Sequence, residues 1–286
     1  MHFRDIYKKR EAEHFAYVIK HSTIHFHDHG ASKFFGNLIK DVENCDLERK
    51  YYSDGAPEIS DEAPFIQGET MGKGLPDIIY ENESIVLGIE DFEFDSSGKT
   101  RKGSKMRMAE LSAERELKNK RVFTGTYPIV TETMVDVSFS YEGYISSLLD
   151  AFDSHAKNIN NYRDAIKKNF PNKEIIFAFY IEDITAIGNY VVTKEGTKPM
   201  CPFFAKEFLD VLKKTDGIDY VISRVQNAYT YTLHFTKIDC KSLNSLYKNA
   251  CDIKKDKFFS YAYKKVQHTY KWKISDKNRS RHKNCL

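Results

Sequence analysis

Two acidic residues near the middle of the chain stand where a divalent metal could bind. Asp77 follows Pro76 and opens one apolar run, and Glu90 closes the next. Ionised carboxylates are costly to bury unless a cation, a hydrogen-bond donor or a proton compensates them. A carboxylate pair of this kind predicts a site for Mg²⁺ or Mn²⁺, which can activate water and bind a phosphate during phosphodiester hydrolysis.

The same acids also have an interpretation without a ligand. Asp77 would then only open a strand, and the acids at the end of the next strand would be solvated charges that discourage edge-to-edge aggregation. Those acids are Glu90, Asp91, Glu93 and Asp95. The sequence by itself leaves both interpretations open.

A group of histidines near the N-terminus could also bind a metal. His25, His27 and His29 have the i, i+2, i+4 spacing that places side chains on one side of a strand, and imidazole is a common zinc ligand. No cysteine lies nearby, and the segment falls between two predicted helices, where a histidine-rich connection is more often solvated. The sequence therefore does not favour zinc at these three positions, and a genuine site would indicate a metallohydrolase of another class.

Basic and aromatic residues are interleaved in the C-terminal segment 264–286. Eight Lys or Arg residues lie between Lys264 and Lys283 against a single acid, although the net charge of the whole chain is only +3. Lysines that contact phosphates and aromatic rings that stack on bases are typical of a nucleic-acid surface, so we predict DNA or RNA as partner. The predicted contact residues are Lys264, Lys265, Lys271, Trp272 and Lys273. A helix with an aromatic inner face and a lysine-rich outer face explains the same composition without a ligand.

The elements that would position the acids are a hairpin, a long helix and a buried strand. Apolar and β-branched runs predict strands over 77–80 and 84–94. Apolar residues with helical spacing predict a helix over 144–170, and Pro171 ends it. The continuous apolar run over 174–184 predicts a strand that is buried on both faces. This order indicates an α/β fold, with α+β left open.

Further elements surround this central group. We predict amphipathic helices over 5–21 and 34–42, a helix over 106–120, strands and a helix over 190–238, and a final helix from Leu243 to about Lys273. Segments of this number and type can build one large domain.

The order of the central elements, with the G-x-P-D sequence at 74–77, resembles the core of the PD-(D/E)xK nuclease superfamily, which includes many restriction and repair endonucleases. The resemblance implies a restriction-endonuclease-like mixed sheet flanked by helices, with additional C-terminal strands and helices. The nuclease-like core would cover 74–184 within one domain over 1–286. The resemblance also implies that Asp77 and Glu90 are the metal ligands.

The chain departs from this superfamily at one position. A lysine that helps to position the attacking water is expected two residues beyond the second acid, and Phe92 stands there. Either Glu93 or a lysine of the 99–105 segment, such as Lys102 or Lys105, would then take the catalytic role. We predict a Mg-dependent endonuclease, and keep as the alternative a non-catalytic nucleic-acid-binding or interaction protein with a degenerate core. A homodimer is left open, since many nucleases that cut both strands act as dimers.

Composition narrows the class of protein. The 286 residues are 41% hydrophobic and 14% aromatic, which is enough for a substantial core. Five cysteines without a C-x-x-C pair indicate neither a disulfide framework nor a zinc knuckle. Walker A, Rossmann and G-x-S-x-G patterns are absent. Because no apolar leader or membrane-length apolar run is present, we expect a cytoplasmic protein without membrane contact.

Overall fold

The computed structural model has a mixed α/β architecture with seven α-helices and sixteen strands among the residues it describes. The described residues are 11–44, 50–51, 57–58, 64–68, 74–100, 103–119, 129–135, 137–184, 188–227, 230–250, 254–260 and 264–270. The helices are α1 (Glu11–Lys20), α2 (His29–Asn44), α3 (Lys105–Asn119), α4 (Tyr141–Ala156), α5 (Ile159–Asn169), α6 (Lys206–Lys214) and α7 (Cys240–Ala250). None of these helices is both long enough and apolar enough to cross a bilayer.

The strands include a long central group and several short pairs. They are β1 (Thr23–Phe26), β2 (Lys50–Tyr51), β3 (Pro57–Glu58), β4 (Phe65–Gln67), β5 (Ile78–Glu81), β6 (Ile85–Phe94), β7 (Lys99–Thr100), β8 (Gly103–Ser104), β9 (Ile129–Val135), β10 (Glu174–Asp183), β11 (Asn189–Thr193), β12 (Gly196–Pro199), β13 (Tyr220–Asn227), β14 (Thr230–Lys237), β15 (Lys254–Ser260) and β16 (Lys264–Tyr270).

One seven-stranded sheet, in the order β1-β14-β13-β10-β6-β5-β4, forms the centre of the fold. Strands β4, β5 and β6 make an antiparallel meander, and β10 and β13 run parallel to β6. Strand β14 returns antiparallel to β13, and β1 is parallel to β14. The mixed sheet flanked by helices confirms the predicted α/β class, and β5, β6 and β10 confirm the predicted hairpin and buried strand.

Helices pack on both faces of this sheet, which explains why the central strands are so apolar. On one face, α1 and α2 contribute Phe15 and Phe35 to a core that includes Ile89 of β6. On the other face, α4 contributes Phe152 to a core that includes Phe92 of β6. Successive side chains of a strand point to opposite faces. We call these two sides of the sheet the α1/α2 face and the α4/α5 face.

The single helix predicted over 144–170 is in fact two helices. Helix α4 ends at Ala156 and α5 begins at Ile159, and between them Asn158 has φ −100° and ψ 0°. Asparagine is a poor residue for a helix interior, because its side chain competes for backbone hydrogen bonds. The apolar spacing continues across this break and so concealed it.

The prediction of one helix from Leu243 to about Lys273 is wrong beyond the first turns of that helix. Helix α7 ends at Ala250, and strands β15 and β16 follow. Strand β16 pairs antiparallel with β9 from Lys264↔Val135 to Tyr270↔Ile129. Aromatic and β-branched residues favour strands, and their clustering here produced the apparent helical stripe.

Candidate functional site

Asp77 lies immediately before β5 and reaches the backbone of β6. Its Oδ2 atom accepts a hydrogen bond from the Asp91 N–H at 3.0 Å. Burial, followed by the negative charges of Glu90 and Glu11, raises the pKa of Asp77 to about 9. An acid in this position needs either a proton or a cation to compensate its charge.

Glu90, the second predicted ligand, points to the α4/α5 face and is bound there by two helices. Its Oε1 atom accepts hydrogen bonds from the Tyr162 hydroxyl at 2.6 Å and from His155 Nδ1 at 2.8 Å. Phe92, on the same face, stacks on the His155 ring with centroids 5.2 Å apart and is only 2% exposed. Phe92 is therefore a core residue that fastens α4 to β6.

Asp91 points to the opposite, α1/α2 face and lacks such partners. Its Oδ1 atom is buried, and no described residue donates a hydrogen bond to it. Burial raises the pKa of Asp91 well above its ordinary value, and four neighbouring carboxylates raise it further. In order of effect, these neighbours are Glu182, Glu11, Asp77 and Glu93. We call Asp91 and these four residues the acidic cluster.

Two basic side chains beside the acidic cluster, Arg224 and His14, lie against Glu182. Its Oε2 atom lies 2.6 Å from Arg224 Nη1, and its Oε1 atom lies 3.8 Å from His14 Nε2. Although burial acts in the opposite direction, the hydrogen bond from His14 and the charge of Arg224 lower the pKa of Glu182. Glu182 is thus neutralised within the protein, whereas the Asp77 and Asp91 carboxylates have no such ion pair among the described residues.

No family model, curated protein or solved structure matches the chain. Its function is therefore inferred from its own side chains.

The other predicted catalytic residues fall at different places. Glu93 is exposed. It follows Asp91 by two residues in β6 and therefore lies on the same face of the strand. Lys105 begins α3, and its amide donates to the Gly98 carbonyl at 2.9 Å. It makes no ion pair with Asp77, Glu90 or Asp91 in the described part of the chain. Lys102 lies outside the described residues.

The predicted nucleic-acid contacts are only partly described. Lys264 and Lys265 open strand β16, which pairs with β9. Lys271, Trp272 and Lys273 lie outside the described residues. Nucleic-acid binding, a cytoplasmic location and a homodimer stay predictions.

The sequence spacing placed His25, His27 and His29 on one side of a strand, and the structure corrects this for His29. His25 lies in β1, and His27 continues its ladder by donating its N–H to the Phe235 carbonyl at 3.0 Å. His29 instead begins α2 and is exposed, so it does not share a strand face with the other two. The ring that joins them is His234, from β14.

Several residues around these sites were assigned no metal-binding or catalytic role from the sequence, and among them only Asp91 had a visible signal. In β6, Phe92 and Phe94 alternate with Asp91 and Glu93, which places both acids on one face. The other missed residues come from distant elements and had no local signal. They are Glu11, His14, His155, Tyr162, Glu182, Arg224 and His234.

Proposed function

We propose that this chain is a metal-dependent nuclease that hydrolyses phosphodiester bonds of DNA or RNA, with Mg²⁺ or Mn²⁺ held by Asp77 and Asp91. The observation that carries the proposal is the Asp91 carboxylate, whose Oδ1 atom is buried without a donor among the described residues. The pKa of the adjacent Asp77 is raised to about 9, first by burial and then by neighbouring acids. One or two carboxylates with several waters are the ligand set that Mg²⁺ usually takes in proteins.

The order of elements supports a restriction-endonuclease-like core over 74–184. Strand β5 follows Asp77, β6 carries the acids, α4 and α5 cross over, and β10 runs parallel to β6. This is the sequence of elements on which the resemblance to PD-(D/E)xK nucleases rests. The agreement concerns order and direction of strands, and it supports the nuclease proposal without depending on any single residue.

Taking Asp91 rather than Glu90 as the second ligand also accounts for Phe92. The position two residues beyond Asp91 is Glu93, which is exposed and shares a strand face with it. Phe92 then belongs to the core, where it contacts His155 at 5.2 Å between ring centroids. Glu93 would orient the attacking water in place of the family's lysine.

Each side chain then has a defined task. A divalent cation at this position would supply an activated water and neutralise charge on the phosphate. Asp77 and Asp91 would hold the cation, and Glu93 would accept a proton from the water. Glu90 would act at a distance, because its hydrogen bonds to His155 and Tyr162 fix β6 against α4 and α5. Glu90 is in that case a positioning residue.

The test is cleavage of labelled single- and double-stranded DNA and RNA with Mg²⁺ or Mn²⁺. We expect Asp77→Asn and Asp91→Asn each to lower the cleavage rate by about 100-fold or more, since both remove metal ligands. Glu90→Gln keeps an acceptor for Tyr162 and should lose about tenfold or less. Asp164→Asn, an exposed acid on α5, is the matched control and should cut like the parent.

The outcomes separate the assignments. If Glu90→Gln abolishes cleavage and Asp91→Asn does not, the second ligand is Glu90, as the sequence first predicted. If the folded parent cuts none of these substrates with either metal, the nuclease proposal is rejected.

A non-catalytic nucleic-acid-binding protein is the second candidate, and one observation favours it. Among the described residues, no lysine forms an ion pair with Asp77, Glu90 or Asp91. The PD-(D/E)xK resemblance calls for a lysine beside the acids. Binding of labelled DNA or RNA by a parent protein that does not cut would support this candidate.

A further inference from the structure

Strands β1 and β14 bring three imidazole rings together on the α4/α5 face of the sheet. In their parallel register His25 lies opposite His234. His27 follows two residues after His25, so both rings stand on the same side of the strand. The three side chains come from two segments that are about 200 residues apart in the sequence.

The spacing of the rings is close to that of a metal site. One ligand nitrogen from each of His25, His27 and His234 lies within 4.8 Å of the other two. His27 Nε2 and His234 Nδ1 are 3.1 Å apart. Two imidazole nitrogens that bind one tetrahedral Zn²⁺ at 2.0–2.1 Å are about 3.3 Å apart. The His27 and His234 nitrogens are therefore already at about the spacing of two zinc ligands.

The surrounding structure holds this arrangement in place. Asp28, directly after His27, accepts hydrogen bonds from the backbone N–H groups of Ala31 at 2.7 Å and Lys237 at 2.8 Å. These bonds tie the start of α2 to the end of β14. The Phe203 ring packs edge-on against His27 with centroids 5.3 Å apart. The backbone next to His27 and one side of its ring are therefore held in place before any metal binds.

The rings are also in the chemical form that metals require. Burial, followed by the charge of His25, lowers the pKa of His27 to about 4. Burial, followed by the charges of His27 and His25, lowers the pKa of His234 to about 3. Both rings are then neutral near pH 7, so a metal would displace no proton from an imidazolium.

A cavity of about 540 Å³ opens beside the triad. All three histidines line it, together with Thr193, Thr232 and Val225. Structural zinc sites are closed by four protein ligands, whereas sites with three protein ligands keep a fourth position for water or substrate. The cavity offers space for such a fourth ligand.

We infer that His25, His27 and His234 form a binding site for a zinc-class divalent transition metal, with a fourth coordination position open to the cavity. Imidazole nitrogen suits Zn²⁺, Cu²⁺ and Ni²⁺, whereas Mg²⁺ prefers oxygen. This site is separate from the acidic cluster. His234 lies three strands from β6 in the sheet, roughly 14 Å at the usual strand spacing. It also lies on the opposite face from Asp91.

The experiment is zinc titration of the tag-free, full-length protein after removal of metals with EDTA. Bound zinc is measured by mass spectrometry, and Co²⁺ is used in parallel because a tetrahedral site gives it strong visible absorption. We expect one zinc per chain. His234→Ala and His25→Ala should each weaken zinc binding by about 100-fold or more, since even loss of a residue behind a ligand can cost 10–100-fold.

His29→Ala is the matched control, because sequence spacing includes His29 and the structure excludes it. It should bind zinc like the parent. Circular dichroism of the metal-free variants checks folding, and His25 is exposed enough that its truncation should leave the fold intact. A parent that binds no zinc, or a loss in His29→Ala as large as that in His234→Ala, overturns the inference. Zinc binding retained by Asp91→Asn would show that the two sites are independent.

Discussion

At the residue scale, two acids of the acidic cluster lie close to other carboxylates, and no described residue forms an ion pair with either of them. Arg224 and His14 both contact the Glu182 carboxylate, whereas the neighbours that raise the pKa of Asp77 and Asp91 are other acids. Sites that bind cations or transfer protons are where such perturbed acids concentrate. Ionising such an acid while no metal is bound should destabilise the folded protein.

This destabilisation predicts a pH dependence for Asp77. Its pKa is raised to about 9 in the folded protein, so between about pH 4 and pH 9 the folded state holds a proton that the unfolded chain releases. Stability should therefore fall as pH rises through this window. Asp77→Asn keeps an acceptor for the Asp91 N–H and removes the titration. At each pH, the variant's free energy of unfolding is compared with that of the parent. We expect this difference to favour the variant by roughly 2–4 kcal/mol more at pH 8 than at pH 5.

Urea unfolding in EDTA at the two pH values measures this difference. Asp164→Asn, which removes an exposed acid, serves as the control and should follow the parent. Identical pH dependence in Asp77→Asn and the parent would show that Asp77 is ionised in the folded state without penalty. Added Mg²⁺ should raise the stability of the parent more than that of the variant.

At the scale of elements, one glycine sets how closely α5 and the Pro76-Asp77 turn approach β6. A Cβ atom at Gly88 would lie 2.5 Å from Ile166 Cδ1 and 2.7 Å from Pro76 Cγ. Real Cβ atoms are not found so close to other atoms. The absent side chain at Gly88 therefore lets Pro76 lie against β6 and places Asp77 beside Asp91.

Gly88→Ala should overpack this junction. We expect a loss of about 2 kcal/mol in the free energy of unfolding, within the range for an extra methyl group in a packed core. Urea denaturation at a single pH measures it. Gly36→Ala on α2 is the matched control, because a Cβ there meets nothing within 4 Å. The control should gain about 0.5–1 kcal/mol, as glycine is unfavourable in helices. A Gly88→Ala protein as stable as the parent would contradict this account of the junction.

At the scale of the whole molecule, the uneven charge of the chain matters more than its sum. A net charge of +3 gives little general attraction for polyanions, so binding of DNA or RNA must depend on a local basic surface. The sequence predicts such a surface in the segment 264–286. Each phosphate contact releases counterions, which makes affinity fall with salt.

Salt dependence tests the basic segment directly. In fluorescence anisotropy with labelled DNA or RNA, the slope of log affinity against log salt should become shallower by roughly 2 when Lys271 and Lys273 are both changed to Gln. Lys167→Gln with Lys168→Gln, an exposed pair on α5, removes the same charge elsewhere. Equal effects of the two double variants would indicate general electrostatics rather than a defined surface.

The sequence by itself determined the elements whose pattern is local. The alternation and β-branching of β5 and β6, the unbroken apolar run of β10 and the helical spacing around α4 fixed the α/β class. It also pointed to Asp77, since a proline-aspartate pair at the start of an apolar run is visible without a fold. Errors arose where one pattern resembled another, as with the aromatic residues of β15 and β16.

Only the tertiary structure decided which side chains meet. His155, Tyr162 and Arg224 reach the acids from elements far along the chain, and His234 joins His25 through the pairing of β1 with β14. The local sequence pattern predicts which side of a helix or strand is buried. It carries no information on which distant strand or helix will pack there, because that depends on how the whole chain buries its apolar surface.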